Sequence, residues 1–346
     1  STSNETATGP ELVTNGDFSA TGSELVTSWT NSDFTSFTSS GSDITQMVSS
    51  AAAENCYSAA TFTSGKSYKL QFTSSQALSA SDCQVRISPN IHLTAAQLVF
   101  TELSLGLNEV YFVADSNYSY IGLRSVSAFS DTQISNFTVK ELGEDWTTTT
   151  TLDGGIEFNA QGLKITNGAL YGQAKVTQPS IFENGKSYNF SYTIVEYNGG
   201  DIGLDGEPLA MSRVVGDHVD YLTRSGDTVD FVLGKANVNT DVTVTNISVE
   251  EIASSYLAQA GILTVNRTYK FGYTISNLSA GTVSATDYGA VKDEDEVVLD
   301  TVKVEGVDFS IKNIDGYFVG DIESVSAKLL GTYSDQSIYV TAADVQ

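Results

Sequence analysis

One twelve-residue pattern, written three times along the chain, restricts what it can fold into. The copies read Phe62-Thr63-Ser64-Gly65-Lys66-Ser67-Tyr68-Lys69-Leu70-Gln71-Phe72-Thr73, Phe182-Glu183-Asn184-Gly185-Lys186-Ser187-Tyr188-Asn189-Phe190-Ser191-Tyr192-Thr193 and, more loosely, Leu263-Thr264-Val265-Asn266-Arg267-Thr268-Tyr269-Lys270-Phe271-Gly272-Tyr273-Thr274. In each, turn-forming residues precede a run with apolar side chains at every second position, such as Tyr68, Leu70 and Phe72. That period puts one face of a β-strand in a core and leaves the other to solvent; a helix would need recurrence near 3.6. Asn184-Gly185 tolerates positive φ and marks a tight turn. The repetition itself implies several similar modules, and the chain reads as all-β.

A chain of 346 residues is long enough for two or three domains. A second repeated signal helps to divide it. Ile134-Ser135-Asn136-Phe137-Thr138-Val139-Lys140-Glu141-Leu142 and Val244-Thr245-Asn246-Ile247-Ser248-Val249-Glu250-Glu251-Ile252 share the same slip in alternation, which predicts a β-bulge at Asn136 and at Asn246. An opening and a closing strand in the same order define two modules, at 11–142 and 143–252, after an N-terminal arm at 1–10. The remainder, 253–346, carries the third copy of the strand motif, but its ending does not match the closing motif. It reads as a smaller β domain. The weak helical candidate is Thr94–Leu103.

Acidic residues number 42 against 17 basic, a net charge of -25. Phosphates need Lys and Arg to neutralise them, so nucleic acid is excluded as a partner, and an anionic membrane surface is equally unsuited. No run approaches the ~20 apolar residues of a membrane-spanning helix. Two cysteines, Cys56 and Cys83, are too few for a disulfide framework, and sequence leaves open whether they form one bridge or are free.

Glu11-Leu12-Val13-Thr14-Asn15-Gly16-Asp17-Phe18 followed by Trp29, the Gly-Lys-Ser-Tyr strand, and the closing strand from Ile134 together resemble the carbohydrate-binding-module family of jelly-roll β-sandwiches. The resemblance implies tandem jelly-roll sandwiches with Trp29 and Trp146 in their cores, and a structural calcium near Asp17. In that family, tandem modules without a catalytic domain occur in structural proteins of tailed phages. The function it implies is a non-enzymatic virion component, for capsid decoration or a head or tail fibre, located on the particle surface. Its partners would be other virion proteins, further copies of itself and a host-surface glycan. A secreted glycan-binding module or adhesin is the alternative.

Chemistry-bearing residues are few. The two histidines, His92 and His218, lie in different modules and outside any triad or metal motif. They read as surface groups, and no enzyme activity or cofactor is expected. Asp201, Asp205 and Glu207 place three acids on one Gly-rich loop, an oxygen set that suits a structural calcium. Sugar rings stack on exposed aromatic faces, and Tyr118, Tyr120, Tyr197 and Tyr221 lie in loop-like segments where such platforms could stand. The acidic run from Asp293 to Glu296 reads as a solvated loop tip.

Overall fold

The computed structural model describes residues 8–19, 21–100, 102–168, 172–204, 211–224, 229–235, 239–252, 256–259, 261, 263–285, 291–294, 296–304, 309–330 and 337–339. The first strand is β1 (Thr8–Glu11). Then follow β2 (Thr21–Glu24), β3 (Thr30–Asn31), β4 (Ser36–Ser40), β5 (Asp43–Ser49), β6 (Asn55–Phe62), β7 (Ser67–Ser74), β8 (Cys83–Ser88), β9 (Gln97–Phe100), β10 (Gly106–Val113), β11 (Tyr118–Ser125) and β12 (Phe129–Leu142). Next come β13 (Thr147–Thr150), β14 (Gly154–Asn159), β15 (Gly162–Asn167), β16 (Ala174–Gln178), β17 (Ser187–Gly199), β18 (Gly203–Leu204), β19 (Gly216–Thr223), β20 (Phe231–Lys235) and β21 (Thr240–Ile252). The last are β22 (Tyr256–Gln259), β23 (Thr268–Ala285), β24 (Glu296–Lys303), β25 (Phe309–Leu329) and β26 (Ser337–Tyr339).

The architecture is all-β. In the first sandwich a sheet ordered β10-β7-β12-β5-β4, with β2 on β12, faces a sheet ordered β3-β6-β11-β8-β9. In the second, β14-β15-β21-β17-β19, with β1 on β21, faces β13-β16-β20-β18. The third unit is one sheet, β22-β25-β23-β24 with β26 on β25. No helix occurs among the described residues. The candidate at Thr94–Leu103 is corrected: Gln97–Phe100 is a strand whose Phe100 pairs with Val85 and whose ring lies 5.7 Å from that of Phe72. The open edge of β8 and the aromatic contact outweigh a weak local helical preference.

Each copy of the strand motif closes on itself in the same way. The buried phenols of Tyr68, Tyr188 and Tyr269 accept the N–H of Thr63 (2.8 Å), Glu183 (2.7 Å) and Thr264 (2.9 Å). The hydroxyl of a buried tyrosine needs a partner, and here it ties the strand to the turn before it. Gly65, Gly185 and Asn266 hold that turn at φ 80°, 79° and 64°. Asn is among the few residues that tolerate the left-handed region, so it replaces glycine in the third copy.

Asn136 and Asn246 sit at φ 53° and 52°, and the register of the closing strand shifts there in both sandwiches. The bulges lie where the broken alternation puts them. The third unit has the same device, contrary to the sequence reading of its ending. Ser324 takes φ 55°, and β25 shifts against β23 between Glu323 and Ser326, as β12 does against β7. Ser in place of Asn conceals the motif.

The module boundary at Glu11 is also corrected. Leu12 N–H donates to Val249 O (2.9 Å), and Val13 and Phe18 lie in the core of the second sandwich, not the first. Phe18 stands 5.3 Å from Trp146 and 5.6 Å from Phe158, and Trp146 Nε1 donates to Asn15 O (3.1 Å). The segment that opens the first sandwich lies thirteen residues later, at the end of β2, and repeats the same letters, Glu24-Leu25-Val26-Thr27. The correspondence is atomic. The Glu11 carboxylate accepts Val13 N–H (2.8 Å) and Val249 N–H (2.9 Å); that of Glu24 accepts Val26 N–H (3.0 Å) and Val139 N–H (2.7 Å). Each carboxylate bridges its own strand to the backbone just beyond the bulge. The first sandwich, 21–142, is therefore inserted between residues 8–19 and 143–252 of the second. It enters and leaves at paired residues, Thr21 and Leu142. Of the arm at 1–10 only residues 8–10 are described, and there β1 pairs with β21 of the same chain.

Candidate functional site

The two tryptophans are structural. Trp29 packs edge-on against Phe137 at 4.9 Å and donates to Ser42 O (2.8 Å); Trp146 is buried beside Phe18 and Phe231. Among the tyrosines read as platforms, Tyr118 points inward, its hydroxyl donating to Asp115. That hydrogen bond, with burial added, pushes its phenol up to about 12. A register shift between Tyr118 and Tyr120 turns them to opposite faces, although two residues apart they would share one in a regular strand. Tyr197 donates to Gly200 O (2.8 Å) and packs against the second core. Tyr221 is half-buried beside Asn189. Eight residues of β17 separate that pairing point from Tyr197, roughly 25 Å of strand, so these two form no common surface.

Tyr120 does find an aromatic partner. Its ring meets that of Tyr57 edge-to-face at 5.6 Å, with both side chains half-exposed. They stand on the outer face of the β3-β6-β11-β8-β9 sheet. Strand pairing fixes the rest of this face. Tyr57, Gly122 and Arg86 form one row across β6, β11 and β8; Asn55, Arg124 and Gln84 form the next. The row between them, Cys56, Leu123 and Val85, points into the core. Tyr57 was legible in the sequence, because Cys56, Ser58 and Phe62 alternate with it as inward residues. The sequence reading put Tyr120 among the platform candidates and did not single out Tyr57.

The centre of the face is fixed, because the loop carrying the buried Leu93 lies directly over Gly122. A side chain at Gly122 would come within 2.5 Å of Leu93 Cδ1 and 2.3 Å of Cys56 O, so only glycine fits under the loop that carries Leu93. The Arg86 guanidinium is held beside it: Nε and Nη2 donate to Gln84 Oε1 (3.1 and 2.5 Å), and Nη1 donates to Leu93 O (3.3 Å). Burial, and then the neighbouring Arg124 charge, lower its pKa.

The acidic loop is different. Asp201 Oδ1 accepts from Arg213 Nε at 2.7 Å, an ion pair that already occupies this carboxylate. Asp205 and Glu207 lie outside the described residues. No group of three His, Cys, Asp or Glu suited to a metal occurs among the described residues. Asp17 is bonded to Ser19 through N–H (3.1 Å) and hydroxyl (2.9 and 2.8 Å). His92 is exposed, and His218 Nε2 lies 2.6 Å from Val214 O. Cys56 and Cys83 are free and buried; both pair onto β11 from opposite sides, so a whole strand separates them and excludes a bridge.

No protein-family model and no curated sequence matches the chain. Among solved structures, the N-terminal CBM22-1-CBM22-2 tandem domain of Xyn10C from Paenibacillus barcinonensis aligns with 72% of this chain and 99% of that one, at 8% identity and a TM-score of 0.24. A likeness of that size carries no argument about function.

Proposed function

We propose that the chain is a non-catalytic, glycan-contacting scaffold that binds saccharide on the outer face of its first sandwich. The observation that carries this is the half-exposed Tyr57–Tyr120 pair, 5.6 Å apart, standing beside the tethered Arg86–Gln84 group. Aromatic faces accept the C–H faces of a sugar ring, and fixed polar groups alongside set its orientation. The sheet beneath is rigid, because its inner side is the first core. Binding here needs no chemistry from the protein.

The test is a glycan array followed by calorimetry on the hits, with Tyr57→Ala and Tyr120→Ala. Neither residue belongs to the buried core, so both variants should fold and lose binding. An array with no hit, or hits indifferent to both substitutions, refutes the reading. The finer reading, a virion component displaying these sandwiches as a homo-oligomer, rests on the sequence resemblance alone. Light scattering across a concentration series tests the assembly; a concentration-independent monomer speaks against it.

A further inference from the structure

The geometry points to a carboxylate-bearing saccharide, a uronic-acid type of sugar, as the ligand of this face. The inference rests on the glycan reading above and adds the chemical class. The chain has five arginines against 42 acidic residues, and two of the five, Arg86 and Arg124, stand on adjacent strands of this one face. They are diagonal neighbours across the β11–β8 pairing, about 7–8 Å apart at the backbone. The Arg124 charge, after burial, helps lower the Arg86 pKa.

Neither guanidinium has a carboxylate within ion-pair distance among the described residues. Two of the three lysines of the same sandwich behave otherwise, Lys66 pairing with Glu141 at 3.0 Å and Lys69 with Glu109 at 2.9 Å, while Lys140 makes no such pair among the described residues. In so acidic a chain, two close, half-buried arginines on one outer face with no acid partner among the described residues stand apart. Two like charges held together cost stability unless an anion joins them. Arg86 is also oriented in advance. Three hydrogen bonds to Gln84 and Leu93 hold its plane, which leaves one N–H on each Nη. A planar pair of donors of this kind matches the two oxygens of a carboxylate. Tyr120, Gly122 and Arg124 alternate along one strand, so the aromatic pair and the arginines lie within roughly 13 Å of each other along β11. A sugar ring on the tyrosines can thus place an acid group of the same or the next unit at the arginines. The net charge of the chain opposes an approaching anion only within about 8–10 Å at physiological salt, whereas the two guanidinium groups act at contact.

The experiment measures binding of an oligogalacturonate, its methyl ester and a sulfated oligosaccharide by calorimetry in 0.15 M salt, with wild type, Arg124→Gln, Arg86→Gln and Tyr57→Ala. Removing a charge-assisted hydrogen bond is worth about tenfold or more in affinity, so the ester and both arginine variants should bind at least that much more weakly. Tyr57→Ala should weaken acid and ester alike. Urea unfolding of the variants confirms that the fold is kept. Equal binding of acid and ester, abolished by Tyr57→Ala but not by Arg124→Gln, overturns the acidic class and leaves the glycan reading standing. Preference for the sulfated sugar over the carboxylated one also overturns it. No binding of any probe removes both.

Discussion

Phe18→Ala separates the inserted arrangement from a simple series of modules. In sequence Phe18 lies before every strand of the first sandwich, yet its side chain is 4% exposed and belongs to the second core, against Trp146 and Phe158. Truncating a buried phenylalanine costs about 3–5 kcal/mol, including the cavity left between two rings that have no room to collapse. For a domain near 120 residues, each kcal/mol moves the midpoint by about 3–5 °C, so a fall of roughly 10–20 °C is expected. Each sandwich has its own tryptophan, Trp29 in the first and Trp146 in the second. Thermal unfolding followed by fluorescence in Trp29→Phe and Trp146→Phe backgrounds therefore reads them separately. Phe18→Ala should lower the transition reported by Trp146 and leave that of Trp29 within a few degrees. Phe72→Ala, in the first core, should do the reverse. A fall confined to Trp29, or equal falls in both, would refute the assignment of residues 8–18.

Further outcomes follow from single contacts. Gly16→Ala would bring a Cβ to 1.7 Å from Ile247 O; residues 12–18 or the closing bulge must move, which costs at least about 2 kcal/mol, read by urea unfolding with Trp146 as reporter. Tyr68→Phe and Tyr188→Phe each strand one turn N–H without a partner and should cost about 1–3 kcal/mol, whereas an unchanged denaturation midpoint would show that the N–H finds water. Burial pushes both thiols up, Cys83 to about 12, so a thiol reagent should count none in the native protein and two after denaturation. The hydroxyl and N–H of Ser79 lower the pKa of Asp82. A depressed folded-state pKa contributes stability that is present above the unfolded value of about 3.9 and lost as pH falls through the folded one. Asp82→Asn should accordingly lower stability at neutral pH and flatten the acid limb, so that the variant and wild-type stability–pH curves converge as pH falls through the folded pKa.

How far the sequence reaches depends on how local each determinant is. Alternation around Tyr68, Tyr188 and Tyr269 and the positive-φ turns before them are decided within a dozen residues, and the strands form where they predict. The bulges at Asn136 and Asn246 were equally visible, because a slip in period needs no partner to be seen. At Ser324 the same bulge was hidden: serine lacks the left-handed preference that makes Asn conspicuous. The aromatic face was half legible. Period two marks Tyr57 as outward, but the shift between Tyr118 and Tyr120 follows from how β11 meets β6, and it decides which of the two tyrosines reaches solvent.

The sequence by itself determined an all-β chain of repeated units, since those properties follow from side-chain period and turn chemistry. Only the tertiary structure decided which sandwich each strand joins. Glu11-Leu12-Val13-Thr14 and Glu24-Leu25-Val26-Thr27 are chemically equivalent segments at the ends of β1 and β2, and local preference cannot choose between β12 and β21 as their partner. The choice falls to distant contacts: Phe18 against Trp146, and the Glu11 carboxylate on Val249 N–H. The same holds for Arg86 and Arg124, which are 38 residues apart in the chain and become neighbours only because β8 pairs with β11. Pairing across a sheet is long-range, and composition alone, dominated by acid, conceals the basic point that it creates.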